Sequence, residues 1–262
     1  VATAKPRGKV ARREGFRLSL ISVGADPTEV SALVRSLDRG FADGLIITPL
    51  RVTDDLVDAL LTASVPLVVI GRIDPSVRLD AVGVDSAAGV RLAVDHLIRA
   101  GHGGVTLVNG PRDTTPGSAR LTGYLAAAAE HGFEARVIEA EDFTIDAGLA
   151  ATTGALSAKD RPTAMVATND LLAIGVMRAA AAAGVTVGQD LGLIGMDDSL
   201  FANLVHPALS SVSLRAGERA GSAVELLLGR IAKPGRRRQR VVVAPELVLR
   251  DSSPILKEVP SS

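Results

Sequence analysis

Short apolar runs alternate with stretches of helical periodicity along almost the whole chain, and few architectures accept that alternation. Strand-length runs occur at residues 17–22, 44–47, 67–70, 81–84, 105–108, 164–167 and 191–195, with another near 136–140. Most are apolar on successive residues and rich in Val, Ile and Leu, as a parallel sheet covered on both faces requires. Between them, residues 29–39, 53–63, 86–100, 117–131, 145–157, 170–183 and 215–231 place apolar side chains at helical spacing, giving each helix one buried face. Asp85 and Asn169 stand where an N-cap satisfies the first free N–H groups. Gly40, Gly101, Gly132 and Gly184 follow helices, where a left-handed cap favours glycine. Alternation of this kind over 262 residues predicts a doubly wound α/β architecture. The alanine run at 179–183 predicts a helix packed closely against a neighbour.

Composition narrows the chemistry. Cysteine is absent, which excludes disulfides, thiolate zinc sites and cysteine nucleophiles and fits a reducing compartment. None of the dinucleotide, phosphate-loop, zinc-protease or nucleophile-elbow motifs occurs. His96, His102, His131 and His206 are too scattered for a local metal site, so neither metal nor cofactor is expected. Lys plus Arg and Asp plus Glu are both 29, against a broad basic face for nucleic acid. Residues 1–15 are basic without an apolar run, and the longest uncharged stretch, 199–214, is broken by Asn203, His206 and Pro207. Neither a secretory signal nor a membrane span is expected. The one run of charge, KPGRRRQR at 233–240, reads as a solvated helix–strand loop; its other reading is a phosphate or acidic-partner patch.

In open α/β sheets, ligands sit beyond the carboxyl ends of the strands. Those ends carry Arg72, Asp85, Asn109-Gly110-Pro111, Phe143, Thr168-Asn169-Asp170 and Met196-Asp197-Asp198, with Arg120 early in the helix after Pro111. Asp, Asn and Arg with one aromatic form a polyol-binding set: planar groups that share hydrogen bonds in pairs, plus a ring face. No nucleophile–base pair is implied, so the site is expected to hold a small molecule rather than to transform it.

Motifs in order along the chain carry a resemblance. These are DGLII at 43–47, PLVVIGR at 66–72, Val84-Asp85 with Gly89, His96-Leu97 and Gly101-His102, and Gly110-Pro111 with SARLTGY at 118–124. Asp142-Phe143, RPTA at 161–164, and Thr168-Asn169-Asp170 with AIG at 173–175 follow, then GMDD at 195–198, PALSSV at 207–212 and ELVLRDS at 246–252. Over roughly residues 12–253 the chain resembles the effector-binding core of LacI/GalR-type bacterial transcriptional regulators.

That resemblance implies a type I periplasmic-binding-protein-like fold: two similar doubly wound parallel-sheet lobes joined by three crossovers, near residue 100, 209–213 and 243–246, with a small-molecule effector in the cleft between them. The first lobe would hold 1–100 plus 213–244, the second 101–212 plus 245–253, and 254–262 would form a tail. It also implies a cytoplasmic homodimer that binds operator DNA through a helix-turn-helix absent from this sequence. Residues 2–6 resemble the hinge linker. Residues 11–18 already match the end of the family's first long helix, so the first strand and loop are expected to be missing between about Val10 and Arg12. For the effector, a sugar or sugar derivative is implied, with purines as the other class. Arg120 would form paired hydrogen bonds to it, Asn169 and Asp197 would bond it, Phe143 would stack on it, and Asp85 and Arg72 would touch it. The competing readings are an N-cap for Asn169 and Asp85, a turn for Asp197 and a core ring for Phe143; Tyr124 is expected to pack on its helix. Ile174, Arg178, Leu200, Phe201 and Leu204 would form the dimer interface. Two rival functions are a periplasmic sugar-binding protein of the same fold, disfavoured by the absent signal and hinge-like start, and a small-molecule enzyme on a doubly wound sheet, disfavoured by the absence of a catalytic constellation.

Overall fold

In the computed structural model, residues 15–24, 26–37 and 40–253 are described. The hinge-like 2–6, the expected discontinuity at 10–12 and the 254–262 tail lie outside them. The chain forms two units: residues up to Val84 with Arg215–Ala244, and Asp85–Leu214 with the segment from Pro245 onward.

The first unit begins with α1 (Pro27–Ser36). Asp26 caps it by accepting from the Thr28 N–H at 2.8 Å, and a proline in the first turn pre-sets the backbone, so it starts two residues earlier than its periodicity suggests. It stops at Ser36 because Leu37 is extended, so Gly40 is not its cap. There follow β1 (Leu45–Ile47), α2 (Asp54–Leu61), β2 (Leu67–Ile70) and β3 (Asp80–Val84), and, late in the chain, α8 (Ala216–Ala232) and β9 (Arg240–Val243). The strands form a parallel sheet in the order β1-β2-β3-β9. Period-two alternation divides β2 between two layers. Leu67 and Val69 pack with Val34, Leu56 and Leu60 of α1 and α2, while Val68 and Ile70 pack with Ala223 and Leu226 of α8.

The run at 17–22, expected to be a strand, is not one. Residues 16–24 lie in no strand, and Leu18, Leu20, Ile21 and Val23 are exposed, Leu20 at 89%. Apolar alternation makes a segment fit for a sheet, but a strand exists only when a neighbour accepts its backbone hydrogen bonds. Among the described residues, β1 pairs on one side only, with β2.

The second unit contains α3 (Ser86–Arg99), β4 (Thr106–Asn109), α4 (Thr115–His131), β5 (Arg136–Glu139), α5 (Ile145–Ser157), β6 (Ala164–Ala167), α6 (Asp170–Ala182), β7 (Gly192–Met196), α7 (Leu200–Leu204), β8 (Ser210–Ser213) and β10 (Glu246–Val248). Its sheet runs β10-β8-β7-β6-β4-β5, parallel except where β10 pairs antiparallel with β8. The polar β8 and the three-residue β10 are strands that apolar pattern alone does not reveal. The boundary expected near residue 100 falls instead at Val84–Asp85: α3 packs against α4, β8 and β10, burying Val90, Ala93, Val94 and Leu97 within the second unit.

Close helix packing comes where small residues allow it. A Cβ on Gly175 of α6 would collide with the Ile145 carbonyl of α5, so the two backbones approach there as only glycine permits. Tyr124 does more than pack on α4. It is fully buried, its hydroxyl donates to the Val105 carbonyl at 2.7 Å, and it accepts from the Arg136 N–H at 2.8 Å, tying the starts of β4 and β5 together.

Candidate functional site

Parallel strands β4, β6 and β7 of the second unit end on the same side, and the side chains just past those ends form one network. Arg120 reaches it from the second turn of α4. The helix starts there because Thr114 caps it, accepting from the Gly117 N–H at 3.1 Å. The guanidinium is 7% exposed; its Nη1 donates to the Thr168 carbonyl at the end of β6, and its Nη2 lies 3.7 Å from Asp197 Oδ1 past β7. Burial lowers the pKa of Arg120, against the fields of Asp197 and Asp170. Its Nε and the Oδ1 of Asn109, both buried, have no hydrogen-bond partner among the described residues. Such atoms in a native fold call for an explanation.

Asn169 is the N-cap of α6. Its Oδ1 caps α6 by accepting from the Leu172 N–H at 2.8 Å, while its Nδ2 donates to the Phe143 carbonyl at 3.0 Å. The Phe143 ring is half-buried and lies over Gly110 at the end of β4, where any Cβ would strike it. Arg120, Asp197, Asn169 and Phe143, expected from strand ends, are thus joined through Thr168. Asp85 is exposed and caps α3, accepting from the Ala88 N–H at 2.9 Å. Arg72 belongs to the first unit, exposed just past β2. Neither is joined to the network by a described contact.

The turn after β7 is strained. Asp197 and Asp198 have φ of 108° and 50°, a region that costs non-glycine residues free energy and is over-represented at functional sites. The turn is held from below. Asp170, almost fully buried, accepts from Ser211 Oγ at 2.6 Å and from the Ser199 N–H at 2.7 Å, and Arg250 donates to Asp198 at 2.6 Å. Burial raises the pKa of Asp170, against the hydrogen bonds from Ser211 and Ser199. Thr168, Asp170, Ser211 and Arg250 were not singled out as site residues in the sequence. The first two flank Asn169 at a strand end, which was the available signal; the others meet the turn only through the fold. We expect Asp197→Gly to stabilise the unliganded protein by about 1 kcal/mol, because relief of about 1–3 kcal/mol of strain outweighs a half-exposed ion pair. A lower melting temperature for this variant would show that the carboxylate has a larger structural role.

The residues expected at a subunit interface divide. Leu200, Phe201 and Leu204 on α7 are exposed at 59%, 53% and 69%, and Arg178 is exposed, 3.8 Å from Asp146. Ile174 is only 8% exposed, so it offers little surface to another subunit.

Residues 94–253 match the family model described as a periplasmic binding protein-like domain. The ribose operon repressor of Haemophilus influenzae is 30% identical over 94% of this chain and 74% of its own length. A LacI transcriptional regulator from a Rhodococcus species has a solved structure with a TM-score of 0.85, 31% identity, and coverage of 97% of this chain and 93% of that one. The structure of the regulator CelR in complex with cellobiose aligns with a TM-score of 0.83 at 28% identity, covering 96% of this chain and 78% of that one.

Proposed function

Because the chain belongs to the LacI family of transcriptional regulators, we propose that Arg120, Asp197, Asn169 and Phe143 hold a small-molecule effector, a sugar or sugar derivative, whose binding alters affinity for operator DNA. The observation that carries this reading is the buried Arg120, with an uncommitted Nε, facing a carboxylate held in strained backbone at a sheet's carboxyl end. Adjacent hydroxyls of a polyol match a guanidinium and a carboxylate, each of which engages two groups at once. The Phe143 ring supports one apolar sugar face. The cellobiose complex of a relative and the ribose repressor favour the same ligand class.

An effector changes DNA affinity only through different affinities for two conformations of the core. Operator recognition in this reading falls to a helix-turn-helix outside these residues. A second copy docks on Leu200, Phe201 and Leu204, and the regulator works in the cytoplasm. No helix among the described residues is long and apolar enough to cross a membrane.

The test is a thermal-shift screen of sugars, polyols and nucleobases. A cognate sugar at a hundred times its Kd is expected to add about 2.7 kcal/mol of stability. A response to nucleobases alone would overturn the sugar assignment, and no response to any small polar ligand would overturn the effector site.

A further inference from the structure

We infer that the basic loop between α8 and β9 is a docking surface for the DNA phosphate backbone, built into the core itself. This rests on the reading of the chain as a DNA-acting regulator. Arg230 to Arg240 contains five Arg, one Lys and no acidic residue, a concentration of positive charge in a chain whose net charge is zero with the run included. The loop is not the freely solvated segment that its sequence suggests. It is fastened to one carboxylate, Asp80, which is fully buried at the start of β3. Arg230, 3% exposed, donates its Nε to Asp80 Oδ2 at 2.9 Å, and the Gln239 N–H donates to Oδ1 at 2.7 Å. Arg230 also gathers the loop's carbonyls, donating to Pro234 at 2.8 Å and to Arg236 and Arg237. Arg236 lies back across α8, donating to the Leu226 carbonyl at 2.6 Å, and Arg240 donates to the carbonyls of Ile73, Asp74 and Val77.

Charge accounting separates this arrangement from a structural ion pair. Three guanidiniums, of Arg230, Arg236 and Arg238, lie within 4 Å of a single carboxylate. One negative charge cannot neutralise them, and Lys233 and Arg237 add two more exposed cations. A helix-to-strand turn needs no buried Asp–Arg core, since a few polar residues and a glycine close such a loop. The scaffold fixes the loop backbone and so presents the exposed Lys233, Arg237 and Arg238 from set positions, which lowers the ordering cost of binding an anion, and the planar guanidinium matches phosphate better than an ammonium does.

Position favours an extended polyanion. The loop sits at the amino ends of β3 and β9, and Arg72 follows the carboxyl end of β2, at the opposite end of the same parallel sheet. The loop is therefore free of the end where effector contacts were sought in this unit. Its cations are spread along an exposed turn instead of converging on a pocket, which suits repeated phosphates. Of the acidic macromolecules such a surface could meet, DNA is the one this family acts on.

The experiment measures binding of the chain to a fluorescent random-sequence duplex by anisotropy, between about 50 and 200 mM salt. The expected result is measurable, salt-sensitive binding. Arg237→Ala with Arg238→Ala should lower the slope of log K against log salt by about 1.8, or two phosphate contacts, with an unchanged melting temperature because both side chains are exposed. An unchanged slope, or no binding by the unaltered chain, overturns the inference. Equal loss of binding to polyglutamate, with DNA unable to compete, would assign the loop to an acidic protein and overturn it as well. The sugar-induced thermal shift is recorded on the same variants. Its presence with an unchanged slope sinks the docking loop alone, whereas its absence with a lowered slope sinks the effector reading alone.

Discussion

Arg120→Met is expected to weaken effector binding by on the order of 100-fold or more while leaving the unliganded protein folded. Removing one member of a buried, hydrogen-bonded charged contact costs about 2–5 kcal/mol in binding, and each 1.4 kcal/mol is about tenfold. Methionine is the useful replacement because of where the side chain lies. Arg120 is buried and gives one hydrogen bond to the Thr168 carbonyl, while its nearest carboxylate, on Asp197, is half-exposed at 3.7 Å. Loss of a charge is strongly destabilising when it leaves its partner buried and unpaired, and the half-exposed Asp197 is not left so. Alanine would add a cavity and confuse the two effects. The readout is the sugar-induced rise in melting temperature, taken with the unliganded melting temperature. A methionine variant that retains the full rise would remove Arg120 from the binding set.

The largest stability effect is expected at Asp80. Asp80→Ala or Asp80→Asn should cost about 3–5 kcal/mol, because Arg230 is then left buried without its counter-charge. At about 2–4 °C per kcal/mol, the first unit should melt about 10 °C lower. The pH dependence follows from the direction of the shift. Burial works against ionisation of Asp80, but the Arg230 hydrogen bond, the Gln239 N–H and the fields of Arg230 and Arg236 hold its pKa below the usual carboxylate value. A carboxylate with a depressed folded pKa contributes stability that is complete above its unfolded pKa, about 3.9, and is lost as pH falls through the folded value. The gap between wild type and Asp80→Asn should thus be constant from neutral pH to about pH 5 and close only in more acid solution. A gap that narrows near neutral pH would contradict this assignment. The double variant Asp80→Leu with Arg230→Met should recover much of the loss, since it leaves neither charge buried alone.

Much of the candidate site was legible because its signals are local. Asn169, Asp197 and Phe143 each lie within a few residues of a strand end, Arg120 lies early in the helix that follows one, and strand ends are marked by apolar runs followed by polar residues. Asp85 was marked in the same way, yet it serves as an exposed helix cap. A strand end shows where ligands collect in such folds, but not which side chains are turned toward one another. Ile174 illustrates the same limit on a helix. The resemblance put it with Arg178 at an interface, but the fold leaves it only 8% exposed.

The sequence by itself determined the α/β alternation, the family, and the chemical character of the polar groups past the strands, because each depends on periodicity or on residues near one another in the chain. Only the tertiary structure decided which segments pair. Residues 17–22 have a strand's pattern and no ladder, while the polar β8 has a place between β7 and β10. It also decided what the arginine run is. Asp80 and Arg230 stand 150 residues apart, and no local pattern links a carboxylate at the start of one strand to a loop leading into its neighbour. Parallel pairing of β3 with β9 brings them together, and the buried pair then anchors the arginine-rich loop to the sheet.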